Sequence, residues 1–107
     1  MSEFVTVANV TDLKAGEMTC VKIGRKRLAL ANVDGEFFAF DDTCTHEEAS
    51  LSEGELFGDT VECPLHGAAF NVRSGAVESF PATQPVAVYP VRVVDGQVQV
   101  APTPLEP

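Results

Sequence analysis

The chain has 107 residues, 45% of them hydrophobic, which bounds it to one soluble domain with a modest core. Sixteen acidic against seven basic side chains give a formal charge of −9, which disfavours nucleic acid and anionic membrane as partners. No apolar run approaches a membrane span, and Met1-Ser2-Glu3-Phe4 lacks the basic and apolar segments of a leader, so a cytoplasmic protein is expected.

Alternation of apolar residues predicts a first strand over 4–8. Residues 11–16 read as a turn or a single helical turn ending at Gly16. Strands over 17–23 and 26–33 follow, joined by a tight turn at Gly24-Arg25. Asp34-Gly35 is a strong hairpin signal, with 36–40 as the returning strand. Phe38 and Phe40 on one face alternate with Phe37 and Ala39 on the other, so both faces should meet apolar neighbours. The alternation stops over 41–59, which includes a polar, glycine-punctuated connection at 49–54. Short strands are expected at 60–62 and 69–72, the latter turned at Ser74-Gly75. After 79–83 the alternation returns over 87–94. Asp95-Gly96 makes a second hairpin, and 97–100 closes the sheet with Val98 and Val100 inward. The tail 101–107 holds three prolines and should be poorly ordered. Many short strands at close spacing, with no repeat and no long helix, indicate an all-β sandwich or barrel.

Both histidines and two of the three cysteines fall in Cys44-Thr45-His46 and Cys63-Pro64-Leu65-His66. Each run offers one thiolate and one imidazole, and sixteen residues separate His46 from Cys63. A structural zinc site also accepts two Cys and two His, but zinc fingers usually group like ligands, against the interleaved order here. A zinc-binding Cys2His2 interaction module is therefore the alternative from another class. A Cys–His nucleophile is disfavoured, because two parallel runs are an odd way to build one. Cys20 is left over with no partner for a disulfide, which suits a reducing compartment, and reads as a small buried hydrophobe on a strand.

The pattern C-x-H then C-x2-H, continued by Gly67, Phe70 and Ser74-Gly75, resembles the Rieske [2Fe–2S] family. The resemblance implies one [2Fe–2S] cluster, with Cys44 and Cys63 on one iron and His46 and His66 on the other. It implies one Rieske-like domain over 1–107: an antiparallel β-sandwich or barrel base with a small inserted cluster-binding subdomain at about 42–70. Two ferric ions, two sulfides and two thiolates sum to zero charge, which eases addition of an electron and raises the potential relative to four thiolates. Gly67 would let the backbone pass close to the cluster, and Leu65, Ala49 and Pro81 are candidates to shield it.

Rieske proteins of respiratory complexes add two disulfide-bonded cysteines, where this chain has Ala49 and Leu65. They also carry Ser and Tyr hydroxyls that donate to the cluster sulfurs, where this chain has Ala68 and Phe70. Loss of those donors lowers the potential. The chain thus resembles the low-potential soluble ferredoxins of multicomponent aromatic-ring dioxygenases, used in aromatic hydrocarbon catabolism. Such a protein carries single electrons from a flavoprotein NAD(P)H reductase to a terminal Rieske non-heme iron oxygenase. With both histidines committed, no 2-His-1-carboxylate site can form, so a carrier and not an enzyme is expected. The alternative within the cluster class is a small Rieske-type subunit of an assimilatory nitrite reductase.

Between Leu28 and Val72 there are ten acids and no Lys or Arg. Asp41 and Asp42 precede Cys44, and Glu47 and Glu48 follow His46, so an acidic rim is expected around the histidine end of the cluster. Such a rim would steer basic surfaces of the reductase and oxygenase toward a monomeric carrier. The seven bases lie outside this stretch, four of them as Lys22, Arg25, Lys26 and Arg27.

Overall fold

The computed structural model describes residues 4–43, 49–64, 68–79 and 84–104. In chain order its strands are β1 (Val5–Asn9), β2 (Met18–Ile23), β3 (Lys26–Val33), β4 (Glu36–Asp41), β5 (Glu55–Phe57) and β6 (Thr60–Glu62). They continue as β7 (Ala69–Asn71), β8 (Val77–Ser79), β9 (Val88–Tyr89), β10 (Val91–Val94) and β11 (Gln97–Val100). All pairings are antiparallel, in three sheets ordered β1-β11-β10, β2-β3-β4-β9 and β5-β6-β7-β8.

The four-stranded sheet holding β3 is the middle layer, because apolar side chains leave it on both faces. On one face Leu28, Leu30, Ala39 and Tyr89 pack with Val98 and Val100 of the three-stranded sheet. On the other, Ala29, Ala31 and Phe40 pack with Val61, Phe70 and Val72 of the β5–β8 unit. A strand covered on both sides needs no polar face, which is why Leu28-Ala29-Leu30-Ala31 reads as a continuous apolar run. Phe38 packs toward the β5–β8 side and Phe37 toward the other, so the paired faces of β4 are as expected.

Both Asp-Gly turns form as read. Asp34 and Gly35 have φ of 51° and 94°, and Asp95 and Gly96 have 51° and 77°, the doubly positive signature of a type I′ hairpin. Two three-residue strands, β5 and β8, go beyond the expectation, as does a 3-10 turn at Leu51–Glu53, while the helical turn expected over 11–16 forms as a 3-10 turn slightly earlier, at Val10–Asp12. The strand expected over 87–94 is divided at Pro90, which cannot donate to a ladder. The break lets β9 pair with β4 and β10 with β11. The expected looseness of the tail starts too early at 101: Ala101 is fully buried and its N–H donates to the Pro90 carbonyl at 3.1 Å.

Cys20 corrects another expectation. It lies on a strand, but it is exposed, on an open cleft that it lines with Ser52 and Leu56.

Candidate metal centre

Two connections carry the Cys-His runs, and the fold brings their bases to one core. The first leaves β4 after Asp41 and returns at Ser50, where Thr43 and Ser50 form an antiparallel bridge that closes it. The second is the tip of the β6–β7 hairpin, closed by the Cys63 N–H donating to the Ala68 carbonyl at 2.6 Å. Leu51, Cys63 and Ala68 belong to one buried cluster, so the two bases share a wall of apolar side chains. Cys44, His46 and His66 lie outside the described residues, as do Glu47, Glu48, Leu65, Gly67 and Pro81. Cys63 is described and is only 2% exposed.

The first base is held by Asp42. Its backbone carbonyl accepts from Leu51 N–H at 2.6 Å and its Oδ1 from Ser52 N–H at 2.9 Å. Arg27 approaches Oδ2 at 3.4 Å, and the same guanidinium donates to Ser50 Oγ at 3.3 Å. One carboxylate and one guanidinium thereby join β3, the exit of β4 and the return of the loop. Burial alone would push the Asp42 carboxyl up. Hydrogen bonds from Ser52 and Ser50 and the Arg27 charge outweigh it, holding the group below the usual carboxylate range.

This overturns part of the expected acidic rim. Asp42 is 1% exposed and structural, and Asp41 is half-buried with its Oδ1 accepting from Tyr89 OH at 2.5 Å. A sequence shows a charge without showing its neighbours, and these two acids spend theirs inside the fold.

The bases of the two loops touch at Gly54. Its N–H donates to the Leu51 carbonyl at 2.9 Å, ending the 3-10 turn. A Cβ there would overlap the Glu62 carbonyl oxygen, immediately before Cys63. Glycine is required here by close approach, since its φ of −83° suits any residue. Sequence reasoning gave Asp42 a place in the rim instead of this structural one, and it missed Arg27 and Gly54 as site residues. Only the Ser50–Gly54 punctuation hinted at one of them.

Ala49 is half-buried and packs against the shared core. Ala68 and Phe70, which stand where hydroxyl donors would be, are both fully buried in that core. Of the four expected ligands the described residues include Cys63, and its place in an apolar wall at the base of the second loop suits a group kept from water.

A family profile described as Rieske [2Fe–2S] domain matches residues 3–90. The chain is 46% identical over 99 residues to ferredoxin CarAc of Metapseudomonas resinovorans, covering 92% of each chain. It is 48% identical over 91 residues to a biphenyl dioxygenase ferredoxin subunit of a Pseudomonas species, covering 84% of each. Among solved structures it superimposes on a chain from the complex of reduced oxygenase and oxidized ferredoxin in carbazole 1,9a-dioxygenase. That match has a TM-score of 0.92 at 43% identity and covers 97% of each chain.

Proposed function

The chain belongs to the Rieske [2Fe–2S] domain family, and from that premise we propose that it is the electron-carrying ferredoxin of an aromatic-ring dioxygenase system. It is a carrier and not an enzyme, and family membership implies one Rieske-type [2Fe–2S] cluster, which when bound supplies one-electron transfer. Cys44 and Cys63 would hold one iron, and His46 and His66 the other. The observation that carries this reading is the convergence of the two loop bases on one buried core with Cys63 in it. Asp42, Arg27 and Gly54 orient the loops, Ala68 and Phe70 keep water from the sulfur side, and the imidazole end is left as the route for the electron.

The carrier takes electrons from a flavoprotein NAD(P)H reductase and delivers them to a terminal oxygenase, as a monomer in the cytoplasm. None of the described helices is long and apolar enough to cross a membrane. Glu47 and Glu48 carry what remains of the acidic rim and meet basic partner surfaces. The nitrite-reductase subunit is the weaker reading, because the relatives at 46–48% identity are ferredoxins, one of them named as a dioxygenase component.

Reconstitution tests the proposal. The purified protein should be red-brown, with two irons and two acid-labile sulfides, and should relay electrons between reductases and oxygenases of such systems. Alanine at Cys44, His46, Cys63 or His66 should abolish the iron. A colourless protein with one zinc and no sulfide would sink the reading. Glu47→Lys with Glu48→Lys should slow transfer at low ionic strength while barely moving the midpoint potential. Equal rates would reduce these two acids to a solvated surface.

A further inference from the structure

The bases that lie outside the acidic stretch in sequence do not lie far from the site in space. The β2–β3 hairpin turn folds against the exit of β4, where Asp42 N–H donates to the Arg27 carbonyl at 3.3 Å. Arg25, Lys26, Arg27, Asp41 and Thr43 line one open cleft of about 300 Å³, and Thr43 is the residue before Cys44. Two of the three cations are held in place. Arg27 is fixed by Asp42 and Ser50, and the Lys26 ammonium lies 5.5 Å from the centre of the Tyr89 ring. The one acid lining the cleft, Asp41, accepts from the Tyr89 hydroxyl, and counting Asp42 on Arg27 the three cations exceed the carboxylates by one. A protein of charge −9 thus places a pre-ordered cationic cleft beside its first ligand loop.

We propose that this cleft is a docking point for a carboxylate-bearing surface of a redox-partner protein. The inference rests on the carrier reading and adds the chemistry of the partner. The cations stand together at one side of the first loop's base, and a charge held at a fixed point sets the angle of approach as well as the rate. Pre-ordered cations lose little rotamer freedom when a carboxylate arrives.

The test compares Arg25→Glu/Lys26→Glu with Lys14→Glu/Arg92→Glu, which makes the same change in net charge away from the cleft. Arg27 is left intact because it fastens the loop. Backbone amide NMR of the holoprotein, titrated with hexaglutamate at low ionic strength, should shift residues 25–27 and 43. The hairpin variant should lose those shifts and the control should keep them. In parallel, one electron is passed from each reduced protein to hexacyanoferrate(III), giving hexacyanoferrate(II). The hairpin variant should be slower by about tenfold and the control by about twofold, both converging at high salt. Shifts elsewhere, or equal slowing of the two variants, would overturn the proposal. A wild type that cannot be reduced and reoxidised would instead refute the carrier reading, and the peptide titration separates the two failures.

Discussion

Gly54→Ala should uncouple the two ligand loops. The substitution is free of backbone strain, since φ is −83° at this position, so any effect must come from the added methyl. That methyl would overlap the Glu62 carbonyl oxygen and lie 3.0 Å from its carbon and 3.2 Å from the Leu51 oxygen. All three are backbone atoms in fastened segments, with no flexible side chain to swing aside. Normal contact requires the backbones to part by more than about 1 Å. Glu62 is the last residue of β6 and Cys63 follows it, so the displacement falls on a candidate ligand. Overpacking of this kind costs about 1–3 kcal/mol, and a ligand set misplaced by about 1 Å loses its metal more readily than the fold loses its structure. Iron and sulfide content, visible circular dichroism and thermal unfolding should be measured beside Gly58→Ala. Gly58 has φ of 59° and nothing within 4 Å of an added Cβ, so its variant should lose about 1 kcal/mol and keep its cluster. A Gly54→Ala protein with full iron and an unchanged spectrum would refute the coupling.

With Ala68 and Phe70 in place of hydroxyl donors, the midpoint potential should lie near the negative end of the Rieske range, roughly −150 mV. Ala68→Ser and Phe70→Tyr should each raise it in protein-film voltammetry, and no shift in a well-folded double variant would count against the placement. Asp42→Ala leaves the Ser52 N–H without its acceptor and should cost about 2–3 kcal/mol in denaturant titration together with part of the iron. Asp42→Asn keeps an acceptor oxygen and should lose less, so equal losses would contradict the assigned hydrogen bond. Tyr89 is the one tyrosine of the chain, and burial, then its bond to Asp41 and that carboxylate's charge, raise its pKa well above the ordinary value. A raised folded-state pKa leaves its contribution intact below about pH 10 and loses it as pH climbs through the folded value. Ultraviolet tyrosinate absorbance should therefore appear late and together with unfolding. Tyr89→Phe should cost about 1.5 kcal/mol at neutral pH, and an ordinary titration curve for the wild type would show that the hydroxyl is open to water.

The sheets were legible wherever side-chain period and turn chemistry agreed. Lys26–Val33, Thr60–Glu62 and Gln97–Val100 match their expected bounds, and both Asp-Gly pairs turn as read. The strands β5 and β8 were not, because Glu55–Phe57 and Val77–Ser79 sit in glycine-punctuated stretches that read as connections. The division at Pro90 was visible as a proline but not as a change of sheet, which depends on two partners far apart in the chain. At the site, the Cys-His runs announce themselves by residue type. Their supports do not: Asp42 and Arg27 are fifteen positions apart, and nothing local marks either as the other's partner. Gly54 reads as loop punctuation until the Glu62 carbonyl is placed against it.

The two cores on opposite sides of the middle sheet bear on how such a protein is made. The core formed by Leu13, Leu28, Leu30, Tyr89, Val98 and Val100 contains no candidate ligand and draws on the three-stranded sheet and the middle sheet. Its apolar contacts use no residue of the two ligand loops, unlike small zinc domains whose folding waits on the metal. A newly synthesised chain without iron should therefore already resist protease outside the two loops, which limited proteolysis of the iron-free protein would check. Cluster assembly would then act on two loops presented by a finished platform, and reloading of an iron-free protein should proceed without passing the whole chain through an unfolded state.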